Sequence, residues 1–212
     1  MRNAKSKVLD YFSKLTHKPS EGLIEIAGEP QLILSLRALI GMQDELVKRF
    51  GRAAAEMALY RLGYEMGFHG GRFIAQVYGI QDPMEKMLTG ILTFMRMGWM
   101  PYIDILKANL VQDESYFILW ETKSNIAKYY LNLSGKTDQV VCFALAGYGA
   151  GLSSEAFNLP LATKEITCMA KGDDSCRFLT AHQKRLFELS REEWVRAPTD
   201  SFEVTRLKFE EQ

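Results

Sequence analysis

The stretch KEITCMAKGDDSCRF, residues 164–178, holds two of the three cysteines of the chain. Cys168 and Cys176 stand on either side of a turn that contains Gly172 and Asp173. The flanking runs LATKEITCMA and SCRFLTA are rich in apolar and β-branched residues, which predicts two antiparallel strands joined at this turn. Because the chain has so few cysteines, their placement across one turn indicates that this hairpin carries a specific task.

Three interpretations of these cysteines follow from the residues alone. In the first, Cys142, Glu165, Cys168 and Cys176 are the four ligands of a closed structural zinc site, since thiolates bind zinc. Glu165 and Cys168 are three residues apart, so a regular strand would point them to opposite faces, and a bulge is needed for both to reach one ion. In the other two interpretations the thiols are simply buried, or Cys168 and Cys176 form a disulfide.

Helical and strand patterns occur in separate runs along the chain, which predicts an α+β fold with antiparallel β-hairpins packed against several helices. The predicted helices cover residues 4–16, 38–50, 52–79 (with an interruption at 70–71), 83–98, 124–135 and 139–158. The predicted strands lie on either side of Gly28-Glu29-Pro30, within 102–122 and within 161–181. A polar helical tail is predicted from about His182, with a solvated face because of its charge.

Composition and charge narrow the class of protein. The chain has 26 basic and 26 acidic residues, which removes the simplest argument for nucleic-acid binding. The apolar stretch 87–106 contains Arg96, Pro101 and Asp104, so it is predicted to be a helix followed by a strand rather than a transmembrane segment. The N-terminus lacks a signal-peptide pattern and the cysteines are odd in number, which favours a cytoplasmic protein.

A characteristic order of motifs resembles a known family. A cysteine, a Gly-Tyr-x-x-Gly helix, a Glu-x-x-Cys pair, a Gly-Asp turn and a last cysteine follow one another in the 4-vinyl-reductase domain family. The same order is found in the related aromatic-sensing domains at the N-terminus of sigma-54-dependent activators of the phenol and xylene type. In this chain the elements are Cys142, GYGAG at 147–151, Glu165 with Cys168, KGDD at 171–174, and Cys176. The runs GEPQLILSLRALIGMQDELVKRFG and LYRLGYEMG extend the resemblance to about residues 20–180.

The resemblance implies a domain organisation, a metal, a partner and a ligand. It implies an N-terminal helical arm at 1–19, a ligand-binding domain at 20–181 and a C-terminal helix or tail at 182–212. It also implies a Zn²⁺ site formed by Cys142, Glu165, Cys168 and Cys176 near the C-terminal hairpin. A homodimer and a buried pocket for a small hydrophobic ligand complete the expectation.

The predicted pocket centres on Trp120, which matches the tryptophan that the phenol sensors use to hydrogen-bond their ligand. The alternative is a buried strand residue whose indole N–H meets a backbone carbonyl. The histidine of the family falls at or near Lys86, and an ammonium group cannot accept a hydrogen bond from a phenol. This departure argues against phenol itself, and Lys86 would instead contact an anionic ligand or reach solvent. Phe94 and Trp99, in the segment FMRMGWMPY that is otherwise predicted as core, and Tyr148 in GYGAG are the further predicted ligand-binding residues.

No catalytic Ser/His/Asp arrangement, phosphate-binding loop or dinucleotide fingerprint is found in the sequence, so no enzymatic reaction is predicted. The first functional hypothesis is a zinc-stabilised sensor of a small aromatic molecule, which signals through its dimer or a partner protein in transcription regulation. The second is an accessory or carrier protein for a tetrapyrrole intermediate. The third is a structural dimer whose pocket is filled by its own side chains.

Overall fold

A computed structural model describes residues 2–209. Its helices are α1 (Arg2–Ser13), α2 (Leu36–Phe50), α3 (Arg52–Tyr78), α4 (Pro83–Arg96), α5 (Asn125–Ser134), α6 (Phe143–Phe157) and α7 (Gln183–Leu189). Its strands are β1 (Leu15–Lys18), β2 (Leu23–Ile26), β3 (Glu29–Gln31), β4 (Tyr102–Asn109), β5 (Phe117–Thr122), β6 (Leu161–Thr167), β7 (Cys176–His182) and β8 (Thr205–Lys208). Short 3₁₀ turns occupy Met169–Lys171, Glu193–Arg196 and Thr199–Ser201. The α+β prediction is confirmed.

The main sheet has five antiparallel strands in the order β6-β7-β5-β4-β8. One face packs against α4 and α6 and contributes Ile118, Trp120 and Phe178 to the largest core cluster. Because side chains alternate along a strand, the neighbouring residues Leu119 and Leu179 point to the opposite face. The sheet is therefore buried on both sides, and its inner face determines the shape of the space beneath α4 and α6.

Helices α3 and α6 pack backbone against backbone, and glycine makes this approach possible. A Cβ atom on Gly147 would lie 1.9 Å from the carbonyl oxygen of Tyr60, and one on Gly63 would lie 1.9 Å from that of Ala144. One turn further along, the next glycine of each Gly-Tyr-x-x-Gly motif repeats the contact. Any side chain at these positions would push the helices apart, so the two motifs encode the helix pair that supports the sheet.

The N-terminal region differs in detail from the sequence prediction. Residues 15–18 form β1 rather than the end of a helix, and β1, β2 and β3 make a separate three-stranded antiparallel sheet. The apolar run Leu32-Ile33-Leu34, predicted as part of a strand, is extended chain with no strand partner in the described residues. These three side chains are 88%, 79% and 53% exposed. These apolar residues therefore form part of the protein surface and do not belong to a buried strand.

Two further predictions are corrected by packing. Helix α3 continues through Gly70 and Gly71 without interruption, because its buried residues pack against α6. The predicted helical tail is present only as α7, because the chain beyond it forms 3₁₀ turns and β8, which pairs with β4. The side chain of Val195 is fully buried against the outer face of the sheet, although most residues of this segment have the exposed face that their charge predicts. The predicted start of α4 is confirmed, with Asp82 accepting a hydrogen bond from the Glu85 N–H at 2.8 Å.

The apolar stretch 87–106 is divided between the end of α4 and the start of β4. Among residues 2–209, no helix combines the length and hydropathy that crossing a bilayer requires.

Candidate metal centre and apolar cavity

Four metal-ligating side chains converge where α6 begins and the β6–β7 hairpin turns. Cys142 precedes α6, Glu165 lies in β6, Cys168 follows β6, and Cys176 begins β7. One ligand atom from each lies within 4.8 Å of every other. The sulfur atoms of Cys142 and Cys176 are 3.7 Å apart, and those of Cys176 and Cys168 are 3.9 Å apart. Tetrahedral thiolates about 2.3 Å from one zinc ion would be separated by about 3.8 Å, so the spacing fits one ion.

The bulge that the sequence required is present in β6. The pairing between β6 and β7 shifts register between Glu165 and Thr167, which brings Glu165 and the following Cys168 to the same side. The turn is then fixed by the side chain of Asp173, which accepts a hydrogen bond from the Cys168 N–H at 2.7 Å. Gly172 occupies the left-handed region at φ +99°, where glycine is favoured.

The charge state of the cluster shows why a cation suits it. Burial raises the pKa of both Cys142 and Glu165 well above their ordinary values. The hydrogen bond with Cys142 lowers the pKa of Cys176, but contact with Cys168 and burial outweigh it and raise the value. Contacts with Cys142 and Cys176 hold the pKa of Cys168 at about 2. Burial therefore opposes the ionisation of Cys142, Glu165 and Cys176, and a bound cation would favour it.

Two observations separate a metal site from the alternatives. All three cysteines are free, and their sulfur separations are far longer than the 2.05 Å or so of a disulfide bond. Glu165 accepts a hydrogen bond from the Cys142 N–H through Oε2 at 2.8 Å, whereas Oε1 is buried without a hydrogen-bond partner. A buried carboxylate oxygen without a partner is costly, so this atom needs a ligand that hydrogen bonds within the protein do not supply. The four groups could hold one metal ion.

A cavity lies between the sheet and helices α4 and α6. Its volume is about 40 Å³. A single water molecule needs roughly 10–15 Å³ of such a volume. Most of its wall is aliphatic or thioether, and Met87 and Ile91 line the α4 side. Polar atoms reach it from Trp120, Tyr148, Ser153 and Thr180.

The indole of Trp120 lies over Phe178, with the ring centres 4.2 Å apart. Its N–H donates to the hydroxyl oxygen of Thr180 at 3.0 Å, so its partner is a side chain and not the backbone carbonyl of the alternative interpretation. Thr180 in turn shares a 2.8 Å hydrogen bond with the hydroxyl of Thr163. Gly149 lies across from the ring, where a Cβ atom would be 3.0 Å from the indole carbon Cζ2. The tryptophan is thus held rigidly on one wall.

The other predicted ligand-binding residues are divided by the structure. Tyr148 lines the cavity, and its hydroxyl donates to the carbonyl oxygen of Gly90 at 2.8 Å. Phe94 stacks between Tyr148 and Trp99, outside the cavity wall, with ring centres 3.5 and 4.5 Å away. Lys86 pairs with Glu155 at 3.2 Å and does not line the cavity.

Sequence reasoning missed Thr180 and Ser153. Strand alternation places Thr180 on the same face as Phe178, which pairs with Trp120 across β5 and β7. Trp120 and Thr180 are 60 positions apart, so only the alignment of β7 against β5, which do not follow one another in the chain, would have revealed the contact.

Two family models match different parts of the chain. Residues 131–181 match the model of the 4-vinyl-reductase domain, and residues 10–107 match the one described as activator of aromatic catabolism. The chain is similar to both families over these residues. The first of these matches contains all four groups of the cysteine cluster, whereas Trp120 lies between the two matches.

Individual relatives agree with this assignment. The phenol regulator MopR of Acinetobacter guillouiae is 23% identical over 175 residues, which are 81% of this chain and 31% of that protein. The chain therefore spans about a third of the length of this relative. The phenol-responsive sensory domain of the transcription activator PoxR, solved with phenol, superposes with a TM-score of 0.75 at 17% identity. The match covers 92% of this chain and 97% of that domain, and it shows that the two share a fold.

Proposed function

We propose that the chain is a non-catalytic sensor domain that binds a small aromatic molecule in the cavity beside Trp120. The observation that carries this proposal is the cavity itself, which is enclosed by aliphatic side chains and an indole and sits at the junction of α4, α6 and the sheet. Pockets for apolar ligands have this character, with few polar groups. The names of the relatives support the choice of ligand class, since both describe responses to phenol.

The cavity must expand to admit an aromatic ring. A dry apolar cavity of roughly 150 Å³ accepts benzene, which is well above the 40 Å³ found here. Met87 and Met100 line the wall, and methionine side chains change rotamer more easily than branched ones. We propose that these two side chains move aside when the ligand binds, while Trp120 stays in place.

Ligand binding can be tested by calorimetric titration of the purified chain with toluene and with phenol. Ile91→Phe should block the cavity and weaken binding by more than about tenfold, because the larger side chain fills the space that the ligand needs. Ile126→Phe enlarges a buried residue that does not line the cavity and serves as the matched control. Absence of binding by the unmodified chain, or equal binding by both variants, would contradict the proposal.

We also propose that the cysteine cluster holds one zinc ion with a structural role. Cys142, Glu165, Cys168 and Cys176 would occupy all four positions of a tetrahedral site, which leaves none for a substrate. Zinc would tie the start of α6 to the β6–β7 hairpin, and α6 forms one wall of the cavity. The site would therefore stabilise the geometry of the pocket.

Elemental analysis tests this second element. Cys176→Ala should reduce zinc from about one ion per chain towards zero and lower the melting temperature, since three ligands hold the ion less well than four. Asp174→Ala changes an exposed residue of the same turn and should keep the zinc. Retention of zinc in the cysteine variant would argue against the site.

A homodimer is the third element of the proposal. The exposed run Leu32-Ile33-Leu34 is a contiguous apolar surface of the kind that marks protein interfaces. In sedimentation analysis we expect the unmodified chain to be a dimer and Ile33→Lys to be a monomer. Val111→Lys, at a residue 53% exposed in the β4–β5 turn, should remain a dimer. A monomeric unmodified chain would refute the dimer.

The route of the signal is proposed from strand alternation. Trp120 faces the cavity, and its neighbour Glu121 faces the other side of the sheet, where it pairs with Arg177 at 3.0 Å. Arg177 donates to the carbonyl oxygens of Val195 and Ala197 in the C-terminal segment. A shift of β5 on ligand binding would therefore reach the chain after α7, from which a partner protein or a further domain in transcription regulation could receive it.

The boundaries at 1–19, 20–181 and 182–212 stay predictions. The tetrapyrrole hypothesis also stays a prediction without support from the described residues, because four linked pyrrole rings far exceed a cavity of about 40 Å³.

A further inference from the structure

Trp120, Tyr148 and Thr180 use their polar side-chain atoms on the cavity wall in hydrogen bonds with other side chains or with the backbone. The indole N–H of Trp120 donates to Thr180, and the hydroxyl of Tyr148 donates to the Gly90 carbonyl. The hydroxyl of Thr180 accepts from Trp120 and exchanges a hydrogen bond with Thr163. A threonine hydroxyl offers one donor and two acceptor positions, so two of its three capacities are used.

These bonds are shielded from water. Thr180 is 1% exposed and Thr163 is 5% exposed. The backbone N–H of Thr163 donates to the hydroxyl of Tyr60 at 2.9 Å, which fixes the strand that carries it. The chain Trp120–Thr180–Thr163 is therefore an ordered unit inside the protein, and breaking it would leave buried polar atoms without partners.

The opposite wall offers no replacement partner. On the α4 side the cavity is lined by Met87 and Ile91, which are apolar. The charged neighbour of Met87, Lys86, pairs with Glu155 instead. Ser153 is the remaining hydroxyl on the wall, and it lies on α6 one turn after Gly149.

We propose that Thr180 is a specificity-determining residue, which occupies the indole N–H of Trp120 and so makes the cavity select an aromatic hydrocarbon over its hydroxylated counterpart. A phenol hydroxyl that does not displace Thr180 has no access to the indole N–H, and only the unused position of Thr180 and the hydroxyl of Ser153 remain on the wall. A methyl group at the same ring position loses nothing on leaving water. This inference rests on the proposed function, because it assigns the ligand class of the same cavity.

Toluene and phenol are a matched pair for the test, since a methyl group and a hydroxyl group are similar in size. We expect the unmodified chain to bind toluene roughly 10- to 100-fold more tightly than phenol in calorimetric titrations, in line with the modest rejection of a buried hydroxyl by apolar pockets. Thr180→Val keeps the shape of the side chain but removes the acceptor. The freed indole N–H should then improve phenol binding by roughly 3- to 10-fold, with toluene binding unchanged within about twofold.

Two further variants keep the test decisive if Thr180→Val folds poorly. Trp120→Phe removes the N–H and frees an acceptor position on Thr180, so phenol binding should improve relative to toluene and not weaken, because Thr180 and not the ligand uses that donor. Ser153→Ala should leave the ratio within about twofold of the unmodified chain. A selective loss of phenol binding in either variant would show that the ligand hydroxyl is bound there and would overturn the inference.

The outcomes separate this inference from the function on which it rests. If the unmodified chain binds phenol as tightly as toluene, or if Thr180→Val leaves the ratio unchanged, Thr180 does not set specificity although the cavity is a binding site. If neither compound binds, or if Ile91→Phe does not weaken binding, the proposed function fails and the inference falls with it.

Discussion

Replacing Gly147 with alanine should force α3 and α6 apart. The new Cβ atom would lie 1.9 Å from the carbonyl oxygen of Tyr60 and 2.9 Å from the backbone nitrogen of Tyr64. Ordinary carbon contacts begin at 3.4 Å, so the backbones must separate by more than one ångström. Because the atoms in the way are backbone and not the end of a flexible side chain, rotamer changes cannot relieve the contact.

The magnitude follows from two opposing effects. Overpacking a core costs about 1–3 kcal/mol and more where the backbone has to move. Alanine in a helix gains about 0.5–1 kcal/mol over glycine. Because backbone atoms must move, we expect the upper end of the overpacking range, and Gly147→Ala should lower the free energy of unfolding by about 2 kcal/mol. For a chain of this size, this corresponds to a decrease in melting temperature of roughly 4–8 °C.

Thermal unfolding followed by circular dichroism, with urea titration for the free energy, measures the effect. Gly70→Ala is the matched control, since it lies in the helical interior of α3 and a Cβ there has no neighbour within 4 Å. It should be neutral or slightly stabilising. If Gly147→Ala melts within about 1 °C of Gly70→Ala, the backbone contact between the helices does not have the role described here.

Three further predictions concern the C-terminal segment and the metal. Arg177→Met should lower the free energy of unfolding by about 3–5 kcal/mol, because it removes the ion-pair partner of the buried Glu121 carboxylate. Arg49→Met, at the exposed pair with Glu45, should lower it by no more than about 1 kcal/mol. Urea titration measures both, and similar losses would contradict the prediction. Val195→Ala should lower the free energy of unfolding by about 2 kcal/mol, because this side chain is fully buried, whereas Val111→Ala at an exposed site should change it little. Equal melting temperatures of the two variants would show that Val195 does not pack on the sheet. Dialysis against a strong chelator should lower the melting temperature of the unmodified chain but not that of Cys176→Ala. An equal decrease in both would mean that the chelator does not act through a metal ion in the cysteine cluster.

Local chemistry explains which elements could be predicted. The start of α4 at Asp82-Pro83 and the turn at Gly172 depend on residues that are adjacent in the sequence, and both were predicted. The exposed run at 32–34 was predicted as strand, because an apolar surface and an apolar core have the same composition. The strand β8 was not predicted, since four residues with two charges carry no periodic signal and the pairing with β4 depends on an edge more than 90 positions away.

By itself the sequence determined the separate helix and strand runs, the cysteine hairpin with its required bulge, and the two glycine motifs, since each depends on spacing within about 15 residues. Tertiary structure alone decided that Thr180 occupies the indole N–H of Trp120, that Lys86 turns to Glu155 rather than to the cavity, and that the C-terminal segment covers the sheet. Hydrogen bonds and ion pairs act over a few ångströms, and residues 60 or 69 positions apart reach that range only after the chain has folded.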